Sequence, residues 1–182
     1  MRLVSLSAVI VLAGLGACTS ALESMTVPNV GECPQATILA EAVDATVFNS
    51  ATGRDLPDIQ YQAHLSDLES TCDYGRTRGV RMAYTRLNFN VSVDLGSAAM
   101  SRPIDVPYFV AVIVPETQTV LIREVFTVRA AFEGNTRSVV IPDHIGSIAI
   151  PVSEGADGGA YEVIIGFQLT PEQVEFNRAS RH

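Results

Sequence analysis

From residue 36 almost to the C-terminus, apolar and polar side chains alternate with the two-residue period of a strand. Ala36 to Phe48 alternates weakly and is rich in Ala. Ile59, Tyr61, Ala63 and Leu65 alternate cleanly with Gln60, Gln62 and His64, as in a strand buried on one face. Gly53 and Pro57 separate these two runs, so residues 36–48 and 58–72 predict a hairpin turning near residue 53. From Val80 the apolar set sits on even numbers (Val80, Met82, Tyr84), then moves to odd ones (Leu87, Phe89, Val91, Val93). A period of two changes parity only through an extra residue, which predicts a bulge near Thr85-Arg86.

Tyr108 to Val114 is apolar without interruption and lies between Pro107 and Pro115. Such a run predicts a central strand covered on both faces. Across residues 119–132, Val120, Ile122, Phe126, Val128, Ala130 and Phe132 share one face, and Glu124 interrupts it. Glu133-Gly134-Asn135 marks the next turn. Residues 138–152 read as a strand broken by Pro142, and its first part is therefore expected at a sheet edge. A loop follows at residues 153–159, then a last alternating strand carrying Tyr161, Val163, Ile165, Phe167 and Leu169. Only the end of the chain reads as a helix. Thr170-Pro171-Glu172-Gln173 supplies an N-cap, Pro at the first helical position and Gln at the capping-box position.

About seven strands with regular turn signals predict an all-β fold. An antiparallel β-sandwich of immunoglobulin-like arrangement with a short C-terminal helix comes first. A small or half-open β-barrel with a ligand cavity is the alternative.

Composition changes this picture in two ways. The chain of 182 residues is 47% hydrophobic and 18% charged, so it can fill a core. Its formal net charge is −8, and its 12 positive side chains are all Arg; the acidic balance, with no Arg cluster able to track phosphates, argues against a nucleic-acid partner. No internal apolar window is long enough to span a bilayer.

The N-terminus has its own logic. Arg2 forms a positive n-region and Leu3 to Leu15 an apolar h-region too short for a membrane span. Leu15-Gly16-Ala17-Cys18 then resembles the lipobox of bacterial lipoproteins. That resemblance implies a signal peptide over residues 1–17 and a lipid-modified (palmitate-bearing) Cys18 as the first mature residue. It also implies, from Thr19 after the Cys, the outer membrane of a Gram-negative envelope. Acyl chains gain about 0.8 kcal/mol per buried CH₂, so several chains hold a protein stably. Residues 18–32 carry the lipid and read as a tether reaching at most ~50 Å. Residues 33–182 form the folded domain.

Removing Cys18 leaves one pair, Cys33 and Cys72. An even pair in an exported chain reads as a disulfide, here across the open end of the predicted hairpin. The pair has no CxxC spacing for redox or metal work.

The search for catalytic chemistry yields little. There is no GxSxG, and Asp143-His144 are strand neighbours whose side chains point to opposite faces, so His144 reads as surface. His64, His144 and His182 are scattered, and no metal-ligand spacing occurs. The loop Glu154 to Gly159 supplies too few carboxylates for calcium. Glu124 is the one residue that invites a buried general acid. The commoner reading is an escape to solvent or a pair with Arg81, Arg86 or Arg129. Neither catalytic residues, cofactor nor metal is assigned.

Gly166 to Gln173, with Asn177-Arg178, Cys33-Pro34 and Gly53 to Leu56, resembles uncharacterised Gram-negative envelope lipoproteins. The functional expectation is a non-enzymatic, outer-membrane-anchored periplasmic module. It would bind a protein partner in envelope assembly or integrity. The alternative is a carrier of a lipid or small apolar ligand, and an envelope hydrolase using Glu124 ranks third.

Overall fold

The computed structural model describes residues 31–49, 53–153 and 155–180. Two four-stranded sheets form the expected sandwich, and no barrel closes. The strands are β1 (Gln35–Ile38), β2 (Asp44–Phe48), β3 (Ile59–Thr77), β4 (Val80–Leu95), β5 (Ile104–Val114), β6 (Thr119–Ala130), β7 (Ser138–Pro151) and β8 (Glu162–Phe167). One sheet has the order β1-β8-β5-β6 and the other β2-β3-β4-β7. All pairs are antiparallel except β1 with β8. The wiring is not the immunoglobulin order, because the last strand, β8, pairs with β5 and not with β7, the strand before it.

The weakly alternating Ala-rich run is two strands, not one. A 3₁₀ turn at Ala40–Ala42 carries the chain from the first sheet into the second. A Cβ at Gly166 would lie 2.8 Å from the Ala42 Cβ, so the crossing packs on bare backbone of β8. The hairpin of β2 with β3 then forms as predicted, with Ala45 opposite Ala63. The Cys33–Cys72 disulfide forms too, with Cα atoms 5.8 Å apart. Since residue 33 precedes the crossing, the bond joins the segment entering the first sheet to β3 of the second. It is a staple between sheets rather than across a hairpin.

The core fills the space between the two sheets, and its centre lies between β4 and β5. On β4, Leu87, Phe89, Val91 and Val93 turn inward, and on β5 Val106, Tyr108, Val110 and Val112 face them, all buried. β5 is central, as its apolar run predicts, although its outward row is only half-buried at Phe109 and Ile113. Near Thr85-Arg86 the register of β4 against β7 does shift. Thr85 faces Ile148 and Leu87 faces Ile145, so the extra residue lies in Gly146-Ser147 of β7. The buried row of β4 therefore stays on odd numbers through Ala83 and Thr85, and Val80, Met82 and Tyr84 occupy the opposite face.

β7 runs unbroken through Pro142 and is an edge along its whole length. The helix α1 spans Pro171–Ser180 and opens on the predicted capping box. The Thr170 backbone N–H donates to Gln173 Oε1 at 2.8 Å, and the Gln173 N–H donates to Thr170 Oγ1 at 3.3 Å. The helix lies along the free edge of β2. Buried Asn177 donates to the carbonyls of Asp44 (2.7 Å) and Glu41 (3.0 Å), and Phe176 packs edge-on to Phe48.

Two expectations follow. The disulfide spans 39 residues, and its replacement by Cys33→Ser/Cys72→Ser should cost about 4 kcal/mol in urea unfolding. The fully buried Thr85 hydroxyl has no hydrogen-bond partner. Thr85→Val keeps its shape and removes that burden, and should raise stability by roughly 0.5–1 kcal/mol in the same assay.

Candidate functional site

The sandwich closes unevenly. On one side, α1 covers the β2 edge, and β1 is only four residues long. On the other side, β6 and β7 are both edge strands, 12 and 14 residues long, and the sheets part between them. A cleft of about 640 Å³ opens there. Its floor is Val110 and Val112 of β5, and its walls are Ile122 and Phe126 of β6 facing Ile145 and Ile148 of β7.

Polar side chains share the cleft, and two of them, Tyr108 and Asp143, are bonded to one another. Asp143 follows the parity of Val139, Ile141 and Ile145 and turns inward, where its Oδ2 accepts the Tyr108 hydroxyl at 2.9 Å. Its Oδ1 accepts the His144 backbone N–H at 2.8 Å. Tyr108 is only 2% exposed, stacks on Phe126 and meets Phe89 edge-on. Burial, and then the Asp143 carboxylate, push the Tyr108 phenol well above the ordinary tyrosine value. The pair can hold and orient a polar group at the mouth. Thr127 and Ser147 also line the cleft, and among the described residues no three His, Cys, Asp or Glu side chains converge to hold a metal ion.

Glu124 lines the same cleft but is exposed, on an edge strand with no cover beyond it. None of its candidate partners reaches it. Arg81 donates to the Ala156 carbonyl at 2.7 Å, Arg86 pairs with Asp73, and Arg129 pairs with Asp105 at 3.6 Å. His144 is exposed on β7, as its position next to an inward Asp requires. His64 meets Asp44 across the β2–β3 hairpin, Nδ1 to Oδ1 at 2.6 Å. In the loop at 154–159, Asp157 is spent on the Gly159 N–H at 3.0 Å, and Glu154 lies outside the described residues. So do Cys18, the leader and most of the tether.

Sequence reasoning missed Asp143. The signal was present, since the residue shares the odd parity of its apolar neighbours on β7. It also saw no Arg cluster. Arg76, Arg78 and Arg81, close in sequence, stand together at the β3–β4 turn.

The class defined so far is a disulfide-stapled β-sandwich with one open seam. Comparison with protein families, with curated proteins and with solved structures finds no match.

Tyr108→Phe should cost about 1–2 kcal/mol, because Asp143 loses its donor. The variant also changes the alkaline limb. The unfolded chain releases the Tyr108 proton near pH 10.0, before the folded chain does. Stability is therefore intact below that pH and falls above it. Urea midpoints measured upward from pH 10 should decline less steeply in Tyr108→Phe than in the parent.

Proposed function

We propose that this chain is a lipid-anchored envelope protein, held to the outer membrane through Cys18, that works without catalysis. It binds an extended segment of a partner protein along β6 at the open seam. The long free edge of β6 beside the cleft carries this reading. An edge strand offers unpaired backbone groups, and an incoming strand takes its affinity from them and its specificity from pockets beside it. Of the other edges, β1 is short, β2 is covered by α1, and β7 carries Pro142 and the extra residue at Gly146-Ser147. Charge narrows the segment. Glu124 and Asp143 line the cleft without an Arg, so the fitting strand carries apolar side chains and a basic one.

A second reading has its own support. The cleft of about 640 Å³ lies within the range of roughly 300–1,000 Å³ for small-molecule sites. A lipid or small apolar ligand would place its polar end at Tyr108 and Asp143.

A photo-crosslinking residue at position 124, compared with one at exposed position 62 on the opposite sheet, separates these readings in vivo. The partner reading expects a discrete protein adduct from 124 and none from 62. Equal labelling, or none, removes it. A co-purified small molecule in native mass spectrometry, lost in Val112→Arg, would favour the carrier.

A further inference from the structure

Strands β3 and β4 outrun the rest of their sheet. β7 follows β4 only as far as Met82 opposite Pro151, and a last bond runs from the Val152 N–H to the Arg81 carbonyl. Beyond it, the rungs Arg76–Arg81 and Thr77–Val80 form a two-stranded finger closed by Arg78 and Gly79. Residues 76 to 80 are all exposed.

Two local rules are broken at this tip, both by Arg. Arg76 stands directly opposite Arg81, a like-charge pair that disfavours the hairpin. Arg78 takes a positive φ of 52° at a tight turn, where Asn or Gly is preferred. Such departures from local preference are expected where function is served. The apolar residues are also misplaced for a soluble hairpin. Val80 is 50% exposed, and Met82 and Tyr84 share its outward face. This is the even-numbered set that does not enter the core. From Tyr74 to Met82 the finger carries three Arg and no acid, within a chain of net charge −8.

The finger also stands where the N-terminal segment joins the domain. The Tyr74 hydroxyl donates to the Glu32 carbonyl, Cys33 is bonded to Cys72, and a Cβ on Gly31 would lie 3.2 Å from an Arg81 nitrogen. From Tyr74 to the turn at Arg78 is four residues, about 13 Å of strand.

We propose that the β3–β4 finger docks on an anionic lipid surface, with Arg76 and Arg78 on headgroup phosphates and Val80 and Met82 at the interface. This rests on the Cys18 anchor of the preceding reading. A lipid at residue 18 confines the finger to within the tether's ~50 Å of the bilayer, where weak contacts suffice. Basic and apolar side chains together are what an anionic interface attracts. Docking at the tip turns the seam between β6 and β7 to a fixed orientation for its partner.

The chain contains no Trp, so Val80→Trp is a unique reporter. The test uses full-length, acylated Val80→Trp protein in vesicles of phosphatidylethanolamine and phosphatidylglycerol, against phosphatidylcholine alone. Acylation is read by mass and anchoring by flotation. The expected result is flotation with both vesicles and a blue-shifted emission only on the anionic ones. The shift is lost in about 1 M salt, where the Debye length falls to ~3 Å. It is also lost in Arg76→Gln/Arg78→Asn, a variant that keeps or improves the turn. Flotation with the same emission on both vesicles overturns the docking and leaves the anchor standing. A shift that survives removal of both Arg overturns the headgroup contact. An unacylated chain that fails to float overturns the anchor, and the docking falls with it.

Discussion

The constraint on which this fold depends is the facing of two inward rows, the odd-numbered side chains of β4 and the even-numbered ones of β5. Each strand is flanked on both sides within its sheet, β4 by β3 and β7, β5 by β8 and β6. Leu87, Val91, Val93, Val106 and Val112 of these rows are among the largest fully buried side chains. Apolar burial at about 25 cal/mol per Å² rewards only the register that turns these rows together. The connections serve that facing. The 3₁₀ turn at Ala40–Ala42 lets the N-terminal segment contribute to both sheets, and the Cys33–Cys72 bond ties the first of these strands to the second sheet.

A sandwich built this way leaves four edges, and their different treatment is the main functional clue. α1 approaches the β2 edge with amide side chains that satisfy outward carbonyls, which removes the groups an added strand would need. β1 is short and covalently tied nearby. β7 carries Pro142 and a bulge at Gly146-Ser147, both of which disfavour a regular neighbour. β6 has neither a Pro nor a covering element. Its one irregularity, an extra residue at Leu121, lies near the start of the strand and leaves Ile122 to Ala130 regular.

Much of this was legible in the residues. Clean alternation located β3, the later half of β4, β6 and β8. The run Tyr108 to Val114 marked a central strand, and the Thr170–Gln173 capping box marked the helix. The illegible parts have physical causes. Ala side chains bury so little area that Ala36 to Phe48 alternates weakly in either conformation, so the crossing at residues 40–42 left no signature. The parity of Val80, Met82 and Tyr84 misled because an apolar residue points inward only where its face is covered, and here the face toward the other sheet carries Ala83 and Thr85. For the cleft, Glu124 drew attention through its contrast with its neighbours, yet it sits on an uncovered edge. Asp143 sits on the covered row, and only its parity could have distinguished it from a surface acid.

The finger and the seam differ in how they depart from a minimal sandwich. At the seam, the departure is an omission, since the edge cover given to β2 is withheld from β6. At the finger, it is an addition, since residues 76 to 80 are all exposed and the tip breaks two local preferences. Omission alone is weak evidence, because an uncovered edge costs a folded protein little until a partner finds it. Addition is stronger. Shortening the hairpin by two rungs would remove the Arg76–Arg81 repulsion and the positive φ at Arg78 and leave the buried row of β4 in place, at the loss of the Arg81 contacts with Ala156, Val152 and Tyr74. That the longer, less favourable hairpin stands at the junction with the N-terminal segment ties the two features together. A domain held by a short tether gains a defined orientation from a second contact near its attachment, and with it a defined direction for the open edge of β6.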